Sequence, residues 1–272
     1  MTFRGLLTVV SVEWAKLAQQ LKVRIVILVC AIGPFAFAGA MRGQASVPAD
    51  TLFGSSVTDS GFAIPLVVLG FAGLWALPVL ASVVGGDLFS AEDRYGTWTT
   101  ILTRSRSRTD LFVGKVATAF AFSLLALFAL AASSVIAGIL LIGAQPLVDL
   151  SGMLLSPRDA LVRVVLAWSS VVPSVLAFTA LAVLASVWTQ SSAAGIGLPV
   201  VAGLALQLLT LIDGPEAIRR LLITSGFSAW HGFLSEPSYY GPIVHALVVS
   251  TVYLIGCLIV AHRVLRRRDI GR

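Results

Sequence analysis

Apolar stretches alternate along the chain with short polar segments rich in arginine and lysine. Residues 25–41, 60–86, 116–148 and 164–212 contain no charged side chain. A hydrocarbon layer of roughly 30 Å is crossed by about 20 residues of α-helix. The first two stretches therefore predict one membrane span each, and the third is longer than one crossing requires. Residues 164–212 are too long for one helix, and the polar Thr189-Gln190-Ser191-Ser192 divides them into a fourth and a fifth span. A sixth runs from about Pro242 to His262. Pro34, Pro65, Pro78, Pro173 and Pro199 fall inside these spans. Each removes a backbone donor and favours a kink, which membrane bundles tolerate when neighbours satisfy the freed carbonyls.

Two further segments carry helical periodicity with a polar face. Leu6, Val10, Trp14, Leu17 and Leu21 recur at spacings of four, four, three and four, one apolar stripe of a helix. Glu13, Lys16 and Gln20 take the other face, where Glu13 and Lys16 are close enough to pair. Trp14 on the stripe with Lys16 beside it suits an interfacial helix over residues 1–24, lying in the headgroup plane. Such a helix serves as a plain anchor or also docks a cytoplasmic partner. Between spans two and three, residues 87–110 place Leu88, Ala91, Tyr95, Trp98 and Leu102 at three- and four-residue spacing. This predicts a helix resting on the bundle with Glu92, Asp93, Arg94 and Arg104 turned to the cytosol. Gly96-Thr97 interrupts it, and glycine inside a helix costs about 1 kcal/mol relative to alanine, so a bend or a close contact is expected there.

Composition narrows the class. The chain is 57% hydrophobic and only 12% charged, about half the charged share of a soluble domain, and its mean hydropathy is +0.94. A disordered chain is excluded by the same figures. The net charge of +6 suggests nucleic acid until the charges are placed. With both termini cytoplasmic, 14 of the 19 basic residues lie on the inner side and only Arg42, Arg158, Arg163, Arg219 and Arg220 outside, the asymmetry that cytoplasmic loops carry. An odd number of spans would put the basic C-terminus outside. Ala36-Phe37-Ala38 imitates a signal cleavage site, but the basic region before it is long and amphipathic, so retention is expected. Cys30 and Cys257 lie inside apolar runs, with no metal-binding spacing and no disulfide framework.

The spans hold almost no ionisable side chain; His245 and His262 sit near the ends of the last one. Ion-coupled transporters place such groups near the midplane, and channels build charged rings or filter loops, so neither class is favoured. Nor does the chain contain a GxxxxGK[ST] phosphate loop. If it transports anything, the energy comes from a separate subunit. Asp213, Glu216 and His231 share one outer loop, but their spacing matches no helical ligand pattern, and solvated loop residues are the expectation.

Glu92-Asp93-Arg94-Tyr95-Gly96-Thr97, followed by Leu102, Arg108 and Gly114-Lys115, resembles the cytoplasmic loop signature of ABC-2 type permeases, the membrane subunits of ATP-driven exporters. Arg94 stands where a second acid is frequent, and Ser105 where the pattern has a proline. Glu13-Trp14-Ala15-Lys16-Leu17 looks like the opening of actinobacterial members. The resemblance implies a coupling helix between spans two and three that seats in a groove of an ATPase subunit, with the N-terminal helix beside it. Matching residue for residue, it assigns coupling to Glu92, Gly96, Thr97, Arg108 and Lys115, with the turn at Thr189–Ser192 as a weaker second contact. It also implies re-entrant helices outside, between spans five and six, where residues 213–241 fall, with Pro215 and the interfacial aromatics Phe227, Trp230, Phe233, Tyr239 and Tyr240.

The expected fold is thus all-α: a polytopic membrane protein of six transmembrane helices forming a single permease domain over residues 1–272. The expected function is the permease subunit of an ABC exporter in the bacterial cytoplasmic membrane, moving an amphipathic or lipidic substrate. Its partners would be two copies of an ATPase, a second permease chain that is identical or homologous, and the lipid bilayer, with no nucleic acid. The chain itself would be no enzyme and hold no metal or cofactor, ATP and magnesium being bound by the ATPase. Hydroxyls such as Ser133, Ser134, Ser169, Ser170 and Thr179 are candidates for contacting substrate. The alternative is an intramembrane enzyme or an assembly factor that needs no ATPase.

Overall fold

The computed structural model describes residues 3–42, 52–98, 107–211 and 221–268. Six helical segments are long and apolar enough to cross a membrane: Leu21–Arg42, Ala63–Gly85, Arg108–Leu141, Pro157–Thr189, Ser192–Leu209 and Gly241–Arg267. They match the six expected spans in number and order. The protein is an all-α, multi-pass membrane protein.

An amphipathic helix α1 (Phe3–Gln19) leads into span one, α2 (Leu21–Arg42). Span two is built in pieces: α3 (Ala63–Phe71), a π turn (Ala72–Ala76) and α4 (Leu77–Gly85). The π turn lies just before Pro78, which has no N–H to give to the carbonyl one turn back, and a widened turn relieves that conflict. A short helix α5 (Ser90–Tyr95) follows directly, and span three is the single helix α6 (Arg108–Leu141). Strands β1 (Leu147–Val148) and β2 (Leu154–Leu155) pair antiparallel, Leu147 opposite Leu155. Span four is α7 (Pro157–Ser170) and α8 (Val172–Thr189), broken at Val171 just ahead of Pro173. Spans five and six are α9 (Ser192–Leu211) and α10 (Gly241–Arg267). Pro34 and Pro199 lie inside continuous helices, so only two of the five span prolines accompany a change of helix geometry.

Two spans begin earlier than the charge-free runs suggest. α6 has 34 residues, about 51 Å of helix, so its first turns extend past a hydrocarbon layer of about 30 Å. Those turns carry Arg108, Asp110 and Lys115, and Ser107 caps them by accepting the Asp110 amide at 3.0 Å. α7 starts at Pro157 behind a Ser156 cap that accepts from the Asp159 amide. Counting charge-free residues misses both extensions because a capped helix continues into polar sequence.

Span four is the centre of the bundle. Of its most apolar window 67% is buried, against 17% for spans five and six, many of whose leucines and valines are exposed. Its inward positions are small: Ser174, Ala177, Ala180, Ala182 and Ser186 are all fully buried, which lets neighbours approach closely without a hydrophobic driving force. Hydroxyls staple it to the others. Thr179 Oγ1 lies 2.8 Å from Ser123 Oγ of span three, and Ser174 Oγ lies 3.0 Å from Ser250 Oγ of span six. Ser133 donates to the Cys30 carbonyl of span one at 2.6 Å. Ser134, Ser169 and Ser170 donate to carbonyls of their own helices. The span hydroxyls named as substrate contacts are thus engaged in holding helices.

Span two is pinned at both ends by backbone contact. A Cβ on Gly86 would lie 2.4 Å from the Gly195 carbonyl oxygen, and one on Gly195 would lie 2.1 Å from that of Gly86. The opposite end repeats this with Gly61 and Gly138, at 2.3 and 2.1 Å. Between these points lies the π turn.

Candidate functional site

The site lies at the basic end of the bundle, around α5. Four charged groups converge there from three elements. Lys115, on the extended start of α6, is 1% exposed and sends its three N–H groups to Glu13 Oε2 at 2.8 Å, Glu92 Oε1 at 2.9 Å and the Leu88 carbonyl at 3.1 Å. Lys16 reaches the same two carboxylates, Glu13 Oε1 at 3.1 Å and Glu92 Oε1 at 3.0 Å. Thr97 donates its hydroxyl to Glu92 Oε2. Every carboxylate oxygen of Glu13 and Glu92 has a partner, all donors of Lys115 are used, and the four charges sum to zero. Burial pushes the Glu92 carboxyl up, but Lys115, Thr97 and Lys16 outweigh it and pull the pKa down to about 2.

This placement corrects the expected faces of both amphipathic segments. Glu92 is buried rather than turned to the cytosol, and Tyr95, expected on the packed stripe, is 70% exposed. In α1 the packed positions are Val9, Glu13 and Leu17, while Trp14 and Leu21 point outward. The charged face of α1 docks and much of the apolar stripe does not. In water that would be perverse; beside lipid the apolar face is the one that can stay outside.

Further contacts bring every span to the same short loop. Lys22 of span one pairs with buried Asp87. Span two leads into α5 through the turn at residues 86–89, and Lys115 represents span three. Ser186 of span four accepts the Phe89 and Ser90 amides at 3.2 and 3.0 Å, capping the start of α5. Ser192 of span five lies 3.3 Å from Ser90 Oγ. Arg268, at the end of span six, pairs with Asp93, whose same oxygen accepts from Trp98 Nε1 at 2.8 Å. Residues 87–98 are therefore a hub tied to the basic ends of all six spans and to α1.

Gly96 ends α5 with φ of +62°. Its N–H bonds to the Asp93 carbonyl at 3.3 Å and that of Thr97 to the Glu92 carbonyl at 3.1 Å, the paired closure that calls for glycine just past a helix end. The expected interruption at Gly96-Thr97 is thus a helix stop, and it delivers the Thr97 hydroxyl to Glu92. Arg108 lies elsewhere: its guanidinium donates to the carbonyls of Leu265, Arg266 and Arg268 at 3.4, 3.1 and 2.7 Å. It caps the end of span six, where a cation is favoured by the helix dipole. Of the residues singled out from sequence, Lys16, Glu92, Thr97 and Lys115 meet in one cluster, Gly96 shapes it, and Arg108 and Trp14 stand apart. Leu102, Arg104, Ser105, Arg106, Asp213, Pro215 and Glu216 lie outside the described residues.

Glu13, Asp87, Ser186 and Arg268 were not singled out as site residues. Glu13 is legible from sequence only as a partner for Lys16, a pair the structure forms at 3.1 Å; its spacing of four from Val9 and Leu17 places it on the packed face. The others are joined by pairings far apart in sequence, which periodicity does not report.

A family model described as "ABC-2 family transporter protein" matches residues 9–205, which include α1, the hub and spans one to four with most of span five. A comparison with curated proteins finds no match.

Proposed function

The chain belongs to the ABC-2 transporter family and is a membrane permease of an ABC transporter, and from that premise we propose that the 87–98 hub receives the stroke of a separate ATPase subunit. The observation that carries this reading is the convergence of all six spans on one loop twelve residues long. A displacement of α5 reaches every span without a chain of intermediaries. The buried charges hold the loop and the spans together; they do not meet the ATPase themselves. The contact surface is the tip that the knot leaves outside: Arg94, whose guanidinium stacks 4.8 Å from the Tyr95 ring, Tyr95 itself and Gly96.

In this reading the basic end is cytoplasmic, α1 lies along the membrane surface with Trp14 outward, and two such permease chains, identical or homologous, work with two ATPase chains that bind ATP and magnesium. The substrate is amphipathic or lipidic and is exported across the bacterial cytoplasmic membrane. Of the segment 213–241, residues 221–241 are described, and these enter the outer leaflet. Supporting this, Ile223, Phe227, Trp230 and Leu234 are buried in or beside two 3-10 turns, Ile223–Phe227 and Ala229–Phe233, and Phe227 packs on Phe178 of span four at 5.6 Å.

The test separates grip from hub. The pair Arg94→Ala with Tyr95→Ala is expected to weaken co-purification of the ATPase by roughly tenfold, while unfolding in detergent changes by about 1 kcal/mol at most, because the half-exposed Arg94 lies 3.8 Å from Asp87. Unchanged co-purification and ATP-driven transport would refute the assignment.

A further inference from the structure

Away from the hub, a cavity of about 440 Å³ opens between span two, span five and the 3-10 turns after span five. Its volume lies in the range of small-molecule sites. One wall is apolar, with Leu66, Phe71 and Leu74 from span two. The facing wall holds Thr224, Phe227 and Trp230. Trp230 Nε1 and Thr224 Oγ1 are buried, and neither has a hydrogen-bond partner among the described residues. Buried polar groups are otherwise satisfied in folded proteins; these two atoms belong to residues that line the cavity but are themselves covered, so a small side-chain shift brings both to a seated ligand. An indole N–H only donates and a threonine hydroxyl readily donates, so the matching group is an acceptor. Among the described residues that line the cavity none carries a carboxylate, ammonium or guanidinium, and burial lowers the pKa of His231. An uncharged acceptor matches this lining.

We infer that this cavity binds a neutral amphipathic molecule, its ester or amide carbonyl accepting from Trp230 and Thr224 and its hydrocarbon body lying along span two. The site also touches the irregular part of span two: Phe71, Gly73 and Leu74 line it, two of them within the π turn, a local geometry that recurs at functional positions. Gly73 lies against Phe227, where a Cβ would come within 3.0 Å. The same span leads through the turn at residues 86–89 into α5, so the cavity and the hub lie along one stretch of chain.

The inference deepens the reading of the chain as a carrier of amphipathic molecules and rests on it only for the source of the ligand. The first experiment needs no ATPase. The full chain in nanodiscs is photolabelled with a diazirine derivative of 1-oleoylglycerol, with unlabelled 1-oleoylglycerol and its ether analogue as competitors. Labelling is expected at Phe71–Leu74 and Thr224–Trp230, with the ester competing roughly tenfold better than the ether. Trp230→Phe with Thr224→Val removes that preference. Gly70→Leu fills the cavity, because only the Trp230 ring at 4.0 Å stands near a Cβ there, and abolishes labelling by either route. Equal competition by ester and ether, or labelling unchanged in both variants, overturns the site. With the ATPase added, loss of bound label on ATP turnover identifies a transported molecule, and retention identifies a resident lipid. Failure of the ATPase reading leaves the binding result untouched.

Discussion

The two ends of the bundle hold their loops by different means. At the basic end the contacts are between helices; Lys115, Glu13 and Glu92 are buried at the centre of a compensated cluster, with Lys16 half-exposed at its rim. At the far end the β1–β2 hairpin is clipped to the turns after span five through one arginine and backbone bonds. Arg163 lies 3.8 Å from Asp149 Oδ2, donates to the Phe233 carbonyl at 3.1 Å and pairs with Glu236, which is 47% exposed. Leu150 N–H bonds to the Leu234 carbonyl at 2.9 Å. A compensated buried network resists partial opening, because removing one member strands the others. A half-exposed pair is screened and lets go gradually. On this physics the basic end resists opening piecemeal while the far end gives way locally, which suits the coupling role proposed for the hub.

Breaking the knot at its centre is expected to have the largest effect. Lys115→Met leaves Glu13 and Glu92 buried with only the half-exposed Lys16 as their cation and lowers stability by up to about 3–5 kcal/mol, measured by unfolding in detergent. Adding Glu13→Gln and Glu92→Gln restores most of it, since an uncharged packed cluster is often as stable as the ionic one. A loss below about 1 kcal/mol for the single change would mean the network is open to water.

Acid probes the same network next. The folded-state pKa of Glu92 is depressed from 4.5 to about 2, so its contribution is complete above pH 4.5 and disappears as pH falls through about 2. The depression corresponds to about 3 kcal/mol. A stability profile over this window should lose its acid limb in Glu92→Gln. Lys16, whose pKa is raised by Glu13 and Glu92 against the effect of burial, contributes below its ordinary pKa and is lost only as pH rises past the raised one.

What was legible in the sequence follows from the same physics. The spans could be read because lipid demands long apolar runs and polar boundaries, and Thr189-Gln190-Ser191-Ser192 marked the turn between spans four and five, where Gln190 takes a positive φ of 56°. Lys16, Glu92, Thr97 and Lys115 were found through their resemblance to a family signature, but the face each presents was not. Amphipathicity says that a helix has two faces, not which one meets protein when lipid accepts the apolar one. Asp87 with Lys22, and Asp93 with Arg268, join residues 65 and 175 positions apart. No local pattern encodes such pairs.

The far clamp should respond less. Arg163→Gln leaves Asp149 Oδ2 without its cation but spares the Ser151 and Met153 amides that hold Oδ1 at 2.9 and 2.8 Å. The expected loss is about 1–2 kcal/mol, between a surface pair and a buried one. Raising salt to about 1 M should mimic part of it, because the Glu236 arm is within reach of counterions, while the knot stays nearly insensitive. Equal salt sensitivity at the two ends would erase the distinction between them.

Gly96 is expected to cost no more stability than the far clamp, and it sharpens the comparison most for function. A Cβ there meets nothing within 4 Å, so Gly96→Ala creates no clash and acts only through the positive φ, a cost of about 1–2 kcal/mol for an L-residue. Gly96→Asn, which tolerates that region better, should cost less than alanine. If the turn merely terminates a helix, ATP-driven transport falls in proportion to folded protein in both variants. If it holds the Arg94–Tyr95 tip in register with the Thr97–Glu92 bond, alanine depresses transport well beyond its effect on folding and asparagine recovers much of the loss. Transport that tracks stability alone in both variants would make Gly96 a structural stop and leave the grip to Arg94 and Tyr95.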